Sequence, residues 1–470
     1  MAARLIRIIT FSCCLVLIAL YSCQLLASPW VNTDDRYLRT SIKLLADAGY
    51  INIPINTYPL MWQPIIAELA KADSAKMNQT ELFAFLRVTS ALNYVQERHI
   101  ENLSVSASTD RLIPDGFGSQ HAQRAQLSIG TELKGTNWAL GIQKSFNHDP
   151  YTFNNLSEAE QANLVDYTPN QHWQGSYAAY TYGNWVVSAS QQHQWWGPGF
   201  DSSFNFSNNG PAAKIVRLNR LNSSLPLNDS LSILGAVNLT LEYGQQPGGA
   251  LLRHHKFTAA RLNIKPWQAL EFATSISHHK ALNEHLSQRL NLLGYSNDNA
   301  DYKAQTITSF DLRYSYNPNS AIYAAISQAN SENGYLVGAE YNIANRQYQL
   351  SFSVEYQDIA KSYPYWLINA APGISTMPTE QLLLAMQWYK SDGKAGYIHF
   401  KQQRFAETAA IKLSSAIKLG YQQELFKGLI SFDYQLARQE SANNMIANSS
   451  NRNTQVKFAH EAGVRWEWRW

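Results

Sequence analysis

Cysteine is almost missing from this chain. Its three copies, Cys13, Cys14 and Cys23, all fall near the amino end of the 470 residues. The remainder therefore offers neither a disulfide framework nor a thiolate metal site. Long apolar runs are missing too. Past residue 27 no stretch of about 18 uninterrupted apolar residues occurs, so no transmembrane helix is expected there. Charge is sparse and nearly balanced, with 38 lysines and arginines against 35 acids. Two of those basic residues, Arg4 and Arg7, sit at the extreme amino end. That balance argues against a nucleic-acid partner. There is no Gly-x-Ser-x-Gly elbow, no His-Glu-x-x-His and no Walker loop, and the carboxylates are scattered. No catalytic residue, cofactor or metal is expected. His254-His255 and His278-His279 are adjacent pairs, and neighbours on a strand point to opposite faces, so neither pair chelates through both rings.

What the chain has is aromatic residues in alternation. It holds 13 Trp, 26 Tyr and 18 Phe, while its mean hydropathy is slightly polar at -0.31. The end is the plainest case. Val464, Trp466, Trp468 and Trp470 alternate with Arg465, Glu467 and Arg469, a period of two that places an apolar face opposite a charged one. In a soluble protein such a face packs on a core or makes an adhesive edge. In a transmembrane β-barrel it meets lipid, the indoles settle at the interface and the charges face the lumen. Trp466, Trp468 and Trp470 are then the candidate signal for the barrel assembly machinery.

The amino end favours the membrane reading. Residues 1–27 have the pattern of a secretory signal, with Arg4 and Arg7 preceding the apolar stretch Ile8–Leu20 and cleavage expected after Ala27. The rival is lipoprotein processing before Cys23, where Tyr21 is bulky for such a site. Residues 28–100 do not alternate and are expected to form a periplasmic helical segment. Leu38, Ile42 and Leu45 mark a first helix capped by Asn32 or Thr33 and ended by Gly49. A second helix starts near Trp62 with Pro64 in its first turn. A third spans about Thr80 to Glu97, its stripe made by Phe85, Val88, Leu92 and Val95. These helices are expected to pack on the periplasmic end of a barrel.

From residue 101 to 470 alternating segments recur, as at Leu103–Ala107, Leu350–Tyr356 and Leu429–Leu436. About 18 of them have the ~9–11 residues that cross a bilayer as tilted strands. Connections alternate between short, as at Lys134–Asn137 and Tyr182–Asn184, and long, as at 148–171, 196–211 and 281–304. Short periplasmic turns and long external loops produce that parity. The connection after Arg404 is short for an external one. The fold expected is an all-β, closed antiparallel outer-membrane barrel in contact with outer-membrane lipid.

Two stretches carry a family resemblance. Leu38–Gly49 followed by Pro54–Trp62, and Gln191–Gly199 with its Trp-Trp-Gly-Pro-Gly run, resemble the capsule-assembly outer-membrane lectin family of Wzi type, and the similarity extends along the whole chain. The resemblance implies an 18-stranded barrel with helices at its periplasmic end, loops that close it, and a role in holding capsular polysaccharide at the cell surface.

Candidate residues follow from chemistry. Trp195, Trp196, Gly197, Pro198, Gly199 and Phe200 lie where strand five leaves the membrane. They either plug the lumen or present flat rings to sugar C–H faces. Trp173, Phe204, Phe206, Tyr295, Tyr363, Tyr365 and Trp366 are further aromatic candidates on external connections. Arg253, Lys280 and Lys361 are candidates for acidic polymers. The partner expected is capsular or other extracellular polysaccharide, bound without chemistry. The alternatives are a porin or sugar channel and an outer-membrane hydrolase.

Overall fold

The structure, a computed structural model, describes residues 29–96, 99–109, 116–118, 125–148, 171–208, 212–245, 256–280, 305–329, 331–360, 363, 378–405, 411–442 and 454–469. Arg253, Tyr295, Lys361, Tyr365, Trp366, Trp470, His254, His255 and the expected signal at 1–27 lie outside them.

Eighteen antiparallel strands close into a barrel, running in sequence order from His99–Ser108 to Thr454–Arg469. Gln171–His172 and Tyr177–Tyr182 share one place in the wall, because both pair with Trp138–His148. The last strand closes on the first, with Trp466 opposite Val105 and Trp468 opposite Leu103. Closure removes every exposed strand edge, which is what lets a sheet stand in lipid.

The alternation is that of a protein turned inside out. On Tyr348–Ile359, Phe352, Val354 and Tyr356 face outward and are exposed, while Glu355 and Gln357 face the lumen and are buried. The same inversion sets exposed Ile276 beside buried Ser275 and Ser277. Outward Trp138, Tyr182, Trp267, Tyr316 and Tyr348 cluster at the short-turn ends of their strands and are exposed, forming the aromatic girdle of a membrane interface. No helix among the described residues is long and apolar enough to cross a membrane.

Connection parity has exceptions at both ends of the barrel. The link between Lys214–Arg220 and Ala236–Gln245 lies at the short-turn end but is long, and it includes the 3-10 turn Asp229–Leu234. Arg220 holds it in shape, donating to the carbonyls of Leu225, Pro226 and Val237 at 2.7, 2.7 and 2.8 Å. At the other end, the link from Ser320–Ala329 to Glu332–Ala344 is only two residues, with Ser331 at φ 72°.

Among the described residues three α-helices precede the wall: α1 (Arg36–Asp47), α2 (Trp62–Leu69) and α3 (Gln79–Val95). The cap of α1 is Asp35, not Asn32 or Thr33; its Oδ1 accepts from the Leu38 amide at 2.8 Å, and Oδ2 lies 2.6 Å from Arg87 of α3. Gly49 follows at φ +85°. Asn78 and Glu81 form a reciprocal capping box on α3. Ile42 and Leu45 of α1, Ile65 of α2, and Ala84, Val88 and Leu92 of α3 share one core. Of the expected α3 stripe, Val88 and Leu92 are buried and Phe85 and Val95 only partly so, with Phe83 and Ala84 buried instead. α3 meets the short-turn ends, where Thr80 donates to the Ala344 carbonyl at 3.0 Å. α1 goes further. Eleven of its residues, including Arg36, Arg39, Lys43 and Asp47, are buried, because both its apolar and its charged faces meet protein inside the barrel.

Candidate functional site

Three segments meet in the lumen: α1 with the stretch 53–58, the short piece 116–118, and the connection 191–208. A two-residue antiparallel bridge joins Trp195–Trp196 to Thr57–Tyr58. The Gly197 amide donates to the Asn56 carbonyl at 2.9 Å, and the Phe117 amide to the Phe200 carbonyl at 2.9 Å.

Arg39 sits at the centre. One of its terminal nitrogens lies 3.4, 3.3 and 2.9 Å from the carbonyls of Gly197, Pro198 and Gly199. Its guanidinium stacks 4.1 Å from the Phe117 ring and 5.6 Å from those of Tyr58 and Trp195. A weakly hydrated planar cation suits a dry site of rings and carbonyls. Burial still pushes its pKa below the usual arginine range. Trp195 closes the turn on itself, its indole N–H donating to the Gly199 carbonyl at 3.1 Å.

The two glycines serve different ends. Gly197 has φ +152°, a backbone conformation that side chains resist. Gly199 is needed for room, since a Cβ there would lie 2.2 Å from the Ser202 carbonyl oxygen.

Wall carboxylates hold the inserted backbone. Glu355 accepts from the amides of Phe200, Asp201 and Ser202 at 2.5, 3.1 and 3.0 Å and from the Tyr323 hydroxyl at 2.9 Å. Glu271 does the same for Ile55 and Asn56 at 2.9 and 3.0 Å. Asn205 bonds to Ser275 at 2.6 Å, Ser309 at 3.0 Å and Ser277 at 2.7 Å. Backbone amides removed from water must find acceptors, and these residues supply them.

Ion pairs fix α1 to the same wall. Arg313 makes a two-pronged pair with Asp47 at 2.5 and 2.6 Å and also bonds Glu340. Lys43 reaches Glu340 at 2.8 Å. Burial lowers the Lys43 ammonium to about 8, with Glu340 opposing the shift. Lys265 and Gln268 donate to the carbonyls of Ala46 and Asp47 at 3.0 and 2.7 Å, satisfying the last turn of the helix. Arg261 pairs with Asp311 at 2.8 Å and donates to the Thr57 hydroxyl at 2.6 Å. Asp201 bonds Lys401 at 2.8 Å and also Gln381. Burial, then the nearby Glu355 charge, raises the Asp201 carboxyl to about 8.

The sequence candidates thus divide. Trp195, Trp196, Gly197, Pro198, Gly199 and Phe200 come together inside the barrel, and both indoles are fully covered. Trp196 packs on Phe206, which packs on Phe257. Phe204 and Tyr363 are likewise buried against each other. Trp173 stands apart: its ring is exposed, with the Lys144 ammonium 4.2 Å from its centre. Lys280 is exposed at the long-connection end. His279 faces the lumen against Phe257 and Ser277, whereas His278 lies outside beside Thr306. Trp466 and Trp468 stack at 6.5 Å.

Sequence reasoning missed Arg39, Glu271 and Glu355. The available signal was an excess of charge on α1 at positions 36, 39, 43 and 47, more than one solvated stripe needs.

Comparison with known proteins agrees with this architecture. The model of the capsule assembly protein Wzi family matches residues 95–364. A curated relative, an uncharacterized 55.8 kDa protein in the cps region of Klebsiella pneumoniae, is 24% identical over 244 residues, which cover 52% of this chain and 45% of that protein. The chain thus matches about half the length of that relative. The solved structure of Wzi, an outer membrane protein involved in group 1 capsule assembly in Escherichia coli and a carbohydrate-binding β-barrel, aligns with TM-score 0.71. It is 17% identical, over 93% of this chain and 98% of that one. At that identity the likeness speaks for the fold.

Proposed function

The chain belongs to the Wzi capsule-assembly family, and from that membership we propose that it binds capsular or extracellular polysaccharide at the outer face of the bacterial outer membrane and retains it there. The observation that carries the reading is the filled lumen. Helix α1, the stretch 53–58 and the connection 191–208 occupy the interior and are bonded to the wall by Arg313, by Glu271 and Arg261, and by Glu355 respectively. A barrel filled this way supports holding rather than conducting, which weighs against the porin reading.

The role proposed is binding without turnover. Glu271 and Glu355 are committed to backbone amides of the plug, Glu340 to Lys43 of α1, and Asp311 to the wall residue Arg261 that reaches Thr57, so these four carboxylates serve structure. The covered indoles of Trp195 and Trp196 support a lumen-closing role for them. Polymer contact is assigned to the connections at the long-connection end, Tyr365, Trp366 and Arg253 included. Single contacts to one sugar repeat are weak, but a polymer offers many repeats to many copies of the protein, and avidity makes the hold strong. Outer-membrane lipid and the barrel assembly machinery complete the proposed partners.

The test is the partition of polysaccharide between cells and medium in a deletion strain. Retention predicts unchanged total polymer with a larger released share. A collapse in total polymer would make synthesis or export the role, and an unchanged partition would refute retention.

A further inference from the structure

A row of three lysines on the outside of the barrel carries an inference independent of the polysaccharide reading. Backbone pairing sets Lys214 opposite Gln245, and Gln245 opposite Lys256. The Lys280 amide donates to the Lys256 carbonyl at 3.1 Å, one step beyond the pairing of Phe257 with His279. The four residues form one lateral row on four adjacent strands, at their long-connection ends. Ile215, Phe257 and His279 beside them are buried toward the lumen, so the row faces outward, and all three lysines are exposed. With strands ~4.8 Å apart, Lys256 and Lys280 are about 5 Å apart and Lys214 about 10 Å from Lys256.

The height of the row is informative. Below it, past outward Thr258 and His278, the outward positions Val216, Tyr243 and Ile276 are exposed and apolar or aromatic. About ten residues separate Lys280 from Leu270, which pairs opposite Trp267 of the short-turn girdle. At ~3.4 Å per residue and ~40° tilt that is about 26 Å, the height of the lipid-facing band of an outer-membrane barrel. The row therefore lies at the level of outer-leaflet headgroups, its aliphatic stems able to lie along apolar surface while the ammonium groups reach the polar layer.

Two other outward cations near this rim are neutralised within the protein. Arg404 pairs with Glu380 at 3.0 Å and Arg438 with Glu440 at 2.7 Å. None of the three lysines forms an ion pair among the described residues. Three ammonium groups set side by side repel unless an anion lies among them.

We propose that Lys214, Lys256 and Lys280 bind the phosphate groups of a phosphorylated lipid headgroup in the outer leaflet. Lys256 and Lys280 would grip one phosphate and Lys214 a second group on the same or the next lipid. Tyr243 and Val216 would pack along the first acyl carbons.

The full mature barrel in detergent should be titrated with bisphosphorylated lipid A, followed by native mass spectrometry. The comparison is a K214Q/K256Q/K280Q triple variant, with R404Q as control. Bound lipid should survive transfer of the wild-type protein to plain detergent, and affinity should fall about tenfold in the triple variant but not in R404Q. Dephosphorylated lipid A should bind both proteins equally weakly. Equal lipid binding by wild type and triple variant would overturn the proposal, as would an equal loss in R404Q. Displacement by millimolar inorganic phosphate would show a free-anion site instead. Loss of acidic polysaccharide binding with lipid binding intact would assign the row to a polymer. Retained heat-modifiable mobility of the triple variant confirms that its barrel has folded, so a loss of lipid is read as loss of the site.

Discussion

Arg39 and Gly199 lie 160 positions apart and meet at 2.9 Å inside the barrel. The contact joins the helix that precedes the wall to the connection that leaves its fifth strand. It marks where the plug's two main segments are tied together. Replacing Arg39 with Gln removes the charge and shortens the side chain, so that it no longer reaches the Gly199 carbonyl. A hydrogen bond to a charged group contributes about 1.5–3 kcal/mol. The variant should unfold at lower temperature and show frequent transient openings in planar bilayers, where little steady conductance is expected of the wild type. A quiet, equally stable variant would mean that the turn is held by its other contacts.

Gly199→Ala should loosen the same turn by overcrowding. The added methyl would meet a backbone oxygen, which cannot swing aside as a side chain can. Overpacking of this kind costs about 1–3 kcal/mol. Limited proteolysis should cut within 195–206 in the variant and leave the wild type intact.

Glu355→Gln should have a larger effect than its size change suggests. A single charged acceptor serves three consecutive amides. Leaving such donors with a neutral partner in a buried site costs about 1–3 kcal/mol. Hydrogen exchange at residues 200–202 should accelerate, while exchange in the wall strands should not change.

Asp201 gives the plug a pH dependence. Its folded value, about 8, lies above that of an unfolded aspartate. A carboxyl raised by folding binds more protons in the folded state, so its contribution is fully present below about pH 4 and is lost as pH rises through about 8. Protection of residues 200–202 should be stronger near pH 6 than near pH 9, and Asp201→Asn should flatten the difference. Protection that grows with pH would show that the pair with Lys401 governs instead.

Serine at both Trp466 and Trp468 should lower the amount of assembled, heat-modifiable protein, as should removal of Trp470. Equal membrane levels would count against an assembly role for this end of the chain.

The wall was legible because its physics is local. A period of two, as at Tyr348–Ile359, specifies a strand with one face in lipid whatever lies across the barrel. Loop parity carried the count because short turns and long connections sort by side. It misled at 221–235, where three carbonyls held by Arg220 stabilise a long link on the short-turn side. The plug was far less legible. Arg313 meets Asp47 across 266 positions and Glu271 meets Asn56 across 215, and no window of sequence relates such partners. The charges of α1 could not be matched to partners, because Glu340, which pairs with Lys43, and Arg313, which pairs with Asp47, lie hundreds of residues onward.

Closure of the last strand on the first sets an order of events. Helix α1 is synthesised before any of the wall, and the strand that seals the ring is made last. In the finished barrel that order no longer shows: tied to strands on several sides, the filling and the ring brace one another, as a form and its staves do.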